Sequence, residues 1–270
     1  MRTSLLIVAA ALALTPAALA AYPTPYAVQN GAGLYSLDHS LRFVALKAGT
    51  DTTVGAVRAG GGARVMSRTV HGAFGIPQIT QNGLAGGLFH NGSAFVLQNV
   101  GIQGTSRFVV VGTHDLAVRD TLRLRGTFGF DALSPDGSVL YLIQHMTTQD
   151  IDHYVVRAYD LDAHRLLPGR IADKAQKSWV MQGFAAARTT SSDGRWVYTL
   201  YANPGGYPFV HALDTVRGVA HCVGLPWTSV NQNAIFNAKL VLSGGKLAVQ
   251  FADGSTWRTI DVGTWHVSQP

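Results

Sequence analysis

The sequence predicts an all-β protein, a β-propeller of about five four-stranded blades, with six short blades as the alternative count. Three observations predict it: a repeated unit of strands and turns, abundant glycine, and few charged side chains. Glycine supplies 30 of the 270 residues, and charged residues make up only 13% of the chain. Globular proteins usually contain about 25% charged residues. This composition favours strands joined by tight turns over surface helices.

The clearest copy of the repeated unit begins at Phe130. It reads as a strand, a Ser-Pro-Asp-Gly turn and a second strand, followed by a loop and a third strand over 154–160. The same order of features recurs from Ser191 to Asp214. An Asp-Gly pair flanked by β-branched and aromatic residues is a strong β-hairpin signal. Weaker copies occupy 37–44, 90–97 and 243–249.

Two sets of landmarks share one period along the chain. The turn positions lie 53, 45, 57 and 51 residues apart, at Asp38, Asn91, Asp136, Asp193 and Gly244. The ends of the third strands lie 48, 54 and 47 residues apart, at Gly112, Asp160, Asp214 and Asp261. Units of about 40 to 50 residues with four strands are the signature of propeller blades.

The N-terminus is expected to close the ring. The last unit ends after its third strand at Asp261, and only 264–267 remain to begin a fourth. Residues 26–29 precede the first complete unit. Because an exposed sheet edge favours aggregation, we predict that this N-terminal strand pairs in the last blade.

The first 20 residues have the pattern of a cleavable signal peptide. Arg2 precedes an apolar stretch from Leu5 to Leu14, and a small-residue cleavage site ends at Ala20. The stretch is shorter than the ~20 residues that cross a bilayer, so no membrane span is predicted. We therefore expect a secreted or extracytoplasmic protein in which 21–270 form a single β-propeller domain.

Charge and cysteine content restrict the partners. The formal net charge is +6, but the basic residues are scattered singly. A nucleic-acid binder usually has a basic stripe, so no nucleic-acid partner is predicted. Attraction to anionic cell-surface polymers is compatible with the charge.

Cys222 is the single cysteine and cannot form an intramolecular disulfide, so packing must stabilise the fold. The protein is expected to be a monomer.

The repeats resemble those of a known class of proteins. The turn at 134–137 with the following Leu140-Tyr141-Leu142, and its companion at 192–198, resemble the repeat of YVTN-type, WD40-like and TolB-like β-propellers. Through 197–202 and 209–214 the chain is also similar to uncharacterised secreted propeller-like proteins of actinobacteria. The resemblance covers most of the mature chain and implies a scaffold, not an activity. The Trp-Asp and Gly-His marks of true WD40 repeats are missing, which argues against an intracellular WD40-type role.

Familiar catalytic motifs are missing from the sequence. It contains no G-x-S-x-G elbow, no P-loop, no H-E-x-x-H and no paired cysteine ligands. The densest group of possible metal ligands lies between His145 and His153. One loop seldom completes a metal shell, so we favour a solvated loop shaped by aspartate hydrogen bonds. No metal or other cofactor is predicted.

The longer loops supply the candidate binding surface. Loops between second and third strands lie on the same face of a propeller as the loops between blades. They are longest in the third and fourth units, where aromatic side chains stand beside amides and lysines, a combination that suits carbohydrate or peptide recognition. For two of these side chains, Trp179 and Trp227, we favour the alternative that they pack between blades and do not contact a ligand. The candidate binding residues are His145, Asp150, Asp152, His153, Lys177, Trp179, Asn203, Tyr207, Trp227, Asn231 and Asn233.

These observations lead to one main functional hypothesis. The chain is expected to be a secreted, non-catalytic β-propeller that binds a protein or a cell-envelope polymer through its longer-loop face. The alternative is an extracytoplasmic hydrolase or lactonase whose active-site residues are spread over several blades and escape a local motif search. A sensor domain that partners a membrane protein is a third possibility.

Overall fold

The computed structural model describes residues 26–101, 104–147, 153–173, 180–203, 206–226 and 232–269. Within these ranges the chain forms five successive antiparallel sheets, which we call blades 1 to 5. Blade 1 contains β2 (Leu34–Tyr35), β3 (Leu41–Ala48), β4 (Asp51–Arg58) and β5 (Arg64–Val70). Blade 2 contains β6 (Phe74–Gln78), β7 (Ala94–Asn99), β8 (Thr105–Gly112) and β9 (Val118–Arg125), with β1 (Tyr26–Val28) added to β6.

The remaining blades follow the same plan. Blade 3 contains β10 (Phe128–Leu133), β11 (Val139–His145), β12 (His153–Asp160) and β13 (Arg165–Leu166), with β14 (Met181–Gln182) also paired to β12. Blade 4 contains β15 (Phe184–Thr190), β16 (Trp196–Ala202), β17 (Phe209–Asp214) and β18 (Val219–Gly224). Blade 5 contains β19 (Lys239–Ser243), β20 (Lys246–Gln250), β21 (Thr256–Asp261) and β22 (Val267–Ser268), and α1 (Gln232–Phe236) precedes it.

This architecture confirms the all-β class and the count of five four-stranded blades. Every predicted turn, from Asp38 to Gly244, lies between the first and second strands of its blade. No helix in the described part of the chain is long and apolar enough to span a membrane.

The predicted position of the N-terminal strand is wrong. β1 pairs with β6, with Tyr26 opposite Gln78 and Val28 opposite Ile76, so it extends the inner edge of blade 2. Blade 5 is completed by its own chain, because β22 pairs with β21, Val267 opposite Ile260. A strand that returns through a short turn loses less entropy on closure than one recruited from the far end of the chain.

Apolar side chains between neighbouring blades hold the sheets together. In β7, Phe95 and Leu97 belong to the buried cluster shared with blade 1, whereas Ala94 and Val96 belong to the cluster shared with blade 3. Successive side chains of a strand point to opposite faces, so one strand serves both interfaces. Equivalent clusters join blade 3 to blade 4 and blade 4 to blade 5. Burial of this apolar area is the main stabilising contribution.

The turn between the first two strands is built by its own side chains. In blade 3, the hydroxyl of Ser134 donates to Asp136 and accepts the N–H of Val139 at 2.9 Å. The N–H of Ser138 donates to the same Asp136 carboxylate at 3.0 Å. The hydrogen bond from Ser134 is the largest cause of the lowered pKa of Asp136. Local hydrogen bonds of this kind favour a turn over continued strand.

The glycine of this turn is also a contact between blades. Gly137 has a φ of 76°, a region that side-chain-bearing residues adopt at a cost of about 1–2 kcal/mol. The ring of Phe89, from blade 2, lies against it, so a Cβ at Gly137 would stand 2.7 Å from the ring. Leu37 of blade 1 lies in the same way against Gly92 of blade 2. The sequence repeat therefore encodes both a turn and a packing site for a side chain of the neighbouring blade.

Replacement of Gly137 by alanine is expected to destabilise the protein by about 3 kcal/mol, because backbone strain and overpacking against Phe89 add together. The matched control is Gly254→Ala. Gly254 has a φ of 85° but no atom near its absent Cβ, so only the strain of about 1 kcal/mol is expected. Urea unfolding of both variants measures the difference. Equal losses would show that the contact with Phe89 contributes nothing.

Candidate functional site

The structure places several predicted binding residues at one end of blades 3 and 4. His145 ends β11, His153 begins β12, Asn203 follows β16, and Tyr207 precedes β17 by two residues. Asn233 lies in α1, in the connection to blade 5. We refer to this end as the longer-loop face. The other predicted binding residues, Asp150, Asp152, Lys177, Trp179, Trp227 and Asn231, lie outside the described residues.

These side chains differ greatly in accessibility. His145 is only 5% exposed, and its ring packs edge-on against Tyr154 with centroids 6.0 Å apart. His153 and Asn233 are exposed. The ring of Tyr207 is also open, with 56% of the residue's surface exposed. Among the described residues of this face, the exposed groups are therefore an imidazole, a phenol ring and an amide, and His145 is buried.

Asn203 and Tyr207 stand in a short connection fixed by backbone hydrogen bonds. The N–H of Gly206 donates to the Asn203 carbonyl at 3.0 Å, and that of Leu225 donates to the Pro208 carbonyl at 2.8 Å. The side-chain Oδ1 of Asn203 is buried without a hydrogen-bond partner among the described residues. A buried acceptor of this kind is rare, since most are satisfied by protein or water.

A second feature of the structure was not predicted from the sequence. A cleft of about 340 Å³ lies near the propeller axis, at the opposite end of the first strands from the longer-loop face. Four blades contribute to it, and we call it the axial cleft. Its walls are formed by Leu34, Tyr35, Ile79, 85–88, His90, 130–133, Arg188, Thr190, Gly194 and Val197.

A buried ion pair between blades 3 and 4 lies in the wall of the axial cleft. The guanidinium of Arg188 donates to both the backbone carbonyl and the carboxylate of Asp131, and the two side chains are 7% and 3% exposed. Its Nε donates to the hydroxyl of Thr199 at 2.9 Å. Arg188 also lines a second cavity, of about 450 Å³, together with Asn82 and Lys239. The ion pair thus fixes a charged side chain in the wall of both cavities.

A bulge in the inner strand explains how Asp131 reaches this position. The pairing of β10 with β11 shifts register between Phe130 and Ala132. An extra residue in one strand of an antiparallel pair bends the strand and redirects its side chain. The flanking Phe130 and Ala132 belong to buried apolar clusters on different faces of blade 3, and Asp131 between them pairs with blade 4.

The polar groups continue outward from Arg188 across blade 4. Arg188 lies opposite Thr199, Thr199 opposite His211, and His211 opposite Cys222. His211 is 2% exposed, its Nδ1 lies 3.4 Å from the Cys222 sulfur, and its Nε2 is buried without a partner among the described residues. Burial lowers the pKa of His211 to about 4 and raises that of Cys222 to about 12. Near neutral pH the pair is therefore an uncharged imidazole and a thiol.

No group of three or more His, Cys, Asp or Glu side chains in the described ranges is placed to hold a metal ion. The group that the sequence singled out, between His145 and His153, includes Asp150 and Asp152, which lie outside those ranges.

The fold is that of a β-propeller. No protein-family model and no curated protein matches the sequence. The β-propeller domain of Cps50 (Swd1) from Myceliophteria thermophila is 11% identical with a TM-score of 0.49, over 88% of this chain and 69% of that one. Putative TolB from Agrobacterium tumefaciens is 13% identical with a TM-score of 0.46, over 92% of this chain and 80% of that one.

TolB from Acinetobacter baumannii is also similar, with 16% identity and a TM-score of 0.42 over 82% of this chain. The match covers 51% of that protein, so the chain spans about half its length. At such low identity these similarities concern the fold alone.

Replacement of Asp131 by asparagine is expected to cost about 3 kcal/mol of stability, because it leaves the buried charge of Arg188 without its counter-ion. The matched control is Asp115→Asn. Asp115 pairs with Arg119 at 2.8 Å, but their side chains are 39% and 54% exposed, and exposed pairs contribute about 0–1 kcal/mol. Urea unfolding compares the two variants. Similar small losses would show that Arg188 does not depend on Asp131.

The stability of the protein is expected to fall between pH 6.5 and pH 4 because of His211. Its pKa is lowered in the folded state, so the unfolded chain binds the proton first as the pH falls. The contribution is fully present above about pH 6.5 and amounts to at most about 3 kcal/mol. Unfolding measured across this window should show a shallower pH dependence in His211→Gln than in the wild type. An unchanged slope would mean that His211 is accessible to protons in the folded state.

Proposed function

We propose that the chain is a secreted, non-catalytic β-propeller that binds a protein or a cell-envelope polymer through its longer-loop face. Secretion is supported by the signal-peptide pattern of the first 20 residues. The propeller supplies a rigid frame that carries loops from several blades to one end. Rigid scaffolds with functional loops are a common arrangement for binding.

The observation that carries the proposal is one connection, between β16 and β17, that holds both the exposed ring of Tyr207 and a buried oxygen of Asn203 without a partner among the described residues. An exposed tyrosine offers a large apolar surface at a small cost in side-chain entropy, and its hydroxyl offers a hydrogen bond. Because the backbone on either side is hydrogen-bonded, the main chain that carries the ring is fixed before a ligand arrives. A ligand donor that reached Asn203 would satisfy an acceptor that the described residues leave without a partner.

A positive side chain, Arg258, lies at the same end of the propeller. Arg258 stacks over Trp257 with its guanidinium carbon 4.7 Å from the ring centroid, and it donates to the carbonyl of Pro226. The chain as a whole has a formal charge of +6. A positive surface attracts anionic envelope polymers and acidic protein segments. Recognition then depends on the fixed aromatic and amide groups.

A binding screen of residues 21–270 tests this function. Muropeptides, wall teichoic acid, acidic peptides and acyl-lactones are added in turn, thermal stability is recorded, and each mixture is assayed for turnover by mass spectrometry. We expect a stabilising ligand that stays chemically unchanged. Binding raises the melting temperature because only the folded state binds.

The ligand found in that screen is then titrated against Tyr207→Ala, with Val118→Ala on β9 of blade 2 as the control. Val118 is similarly exposed, at 44%, and lines neither cavity. Loss of an interface anchor is expected to weaken binding roughly 10- to 30-fold in Tyr207→Ala and to leave Val118→Ala unchanged. Equal affinity of Tyr207→Ala and wild type would exclude this face. Conversion of a probe would favour the hydrolase or lactonase alternative.

A further inference from the structure

The axial cleft is formed only when four blades are assembled. Leu34 and Tyr35 come from blade 1, His90 from blade 2, Asp131 from blade 3 and Arg188 from blade 4. Its volume of about 340 Å³ lies at the lower end of the ~300–1,000 Å³ range of small-molecule sites. Such sites combine apolar walls with a few fixed polar groups, and this cleft has both.

The polar groups of the cleft favour an uncharged ligand. Arg188 has five N–H donors, and its three hydrogen bonds to Asp131 and Thr199 use three of them. The two other donors make no hydrogen bond to a described residue. Because Asp131 already balances the charge of Arg188, an anion would gain little attraction and would be repelled by the carboxylate. A neutral hydroxyl group accepts from Arg188 and donates to Asp131 without that penalty.

An aromatic ring stands at the edge of the cleft. Tyr35 lies on β2, where it pairs with Arg42, and its ring stacks on His39 with centroids 5.6 Å apart and planes inclined by 27°. Almost half of the Tyr35 surface is exposed. An exposed aromatic face offers apolar contact area to the C–H groups of a flat, polar ring.

Close packing fixes the opposite edge. The ring of His90 lies directly against Gly194, where a Cβ would stand 2.8 Å from Nδ1. Gly194 has a φ of 73° and belongs to the Ser-Asp-Gly turn of blade 4. The backbone N–H of Gln81, in the same connection as His90, donates to the Ala185 carbonyl of blade 4 at 2.8 Å. The connection between β6 and β7 is thereby attached to blade 4 at two points.

We propose that the axial cleft binds an uncharged saccharide unit. One face of the sugar ring lies on Tyr35, and its hydroxyl groups accept from Arg188 and donate to Asp131. Apolar contacts from Phe130 and Val197 enclose the remainder. The site lies at the other end of the blades from Tyr207, so it does not depend on the function proposed for the longer-loop face.

The test is isothermal titration of residues 21–270 with methyl α-glucoside, N-acetylglucosamine and maltotriose, and with glucuronate as the anionic counterpart. At least one neutral sugar is expected to bind with a dissociation constant below about 10 mM. Glucuronate is expected to bind roughly tenfold more weakly than the neutral sugar because of Asp131. Tyr35→Ala should weaken binding of the neutral sugar about three- to tenfold, by loss of the aromatic contact.

Val118→Ala is the control and should bind the neutral sugar as the wild type does, because Val118 is 44% exposed on β9 and lines neither cavity. The melting temperatures of both variants establish that each is folded, since both side chains are exposed. The proposal is overturned if none of the neutral sugars binds, if glucuronate binds more tightly, or if Tyr35→Ala binds the neutral sugar as tightly as Val118→Ala does.

Discussion

Each blade of this propeller depends on a neighbour to cover its apolar faces. A single sheet of four short strands cannot bury enough surface to offset the entropy lost on ordering its chain. With Cys222 as the single cysteine, no intramolecular disulfide restricts the unfolded state. The alternating side chains of strands such as β7 therefore carry the fold, because they fill the interfaces on both sides of a blade. The turns and the clefts are arranged around this packing.

Polar groups enter the largely apolar interface between blades 3 and 4 at a cost in desolvation. The pair of Asp131 and Arg188 has to be desolvated, and a buried ion pair often stabilises a protein no more than apolar residues of equal volume. The ion pair contributes orientation instead, because the hydrogen bonds of Arg188 to Thr199 and to the Asp131 carbonyl fix the direction of its guanidinium group. His211, farther along the same row, stays neutral near pH 7 because burial lowers its pKa. The interface thus combines apolar packing with one directional contact.

The scaffold could be predicted from the sequence because its signals are local. The turns around Asp136 and Asp193 are each specified by four consecutive residues. In each turn the first serine donates a hydrogen bond to the aspartate two residues later. The pairing of β1 could not be read in this way. The short strand at 26–28 carries no mark of its partner, and the residues of β22 looked too few to complete a blade.

The axial cleft was missed for a related reason. Asp131 and Arg188 are 57 residues apart in the sequence, and each looks like an ordinary polar residue within a strand. Their meeting depends on the bulge beside Phe130, which changes the alternation of the strand by one residue. The longer-loop face was accessible to sequence reasoning because loop length is visible in the spacing of the repeats. The burial of His145 could not be predicted from the sequence, since it depends on packing against Tyr154.

The last blade is formed entirely by consecutive strands, β19 to β22, and this affects how the chain folds. Every blade draws four strands from one contiguous stretch, and in the described part of the chain β1 and β14 pair outside that order, β1 with β6 and β14 with β12. Strand pairing is therefore dominated by short sequence separations, which lowers the contact order and favours rapid folding for a β protein. Because a protein is synthesised from its N-terminus, the emerging chain can complete one blade at a time. For the same reason, duplication or loss of one contiguous gene segment would change the number of blades without dividing any sheet.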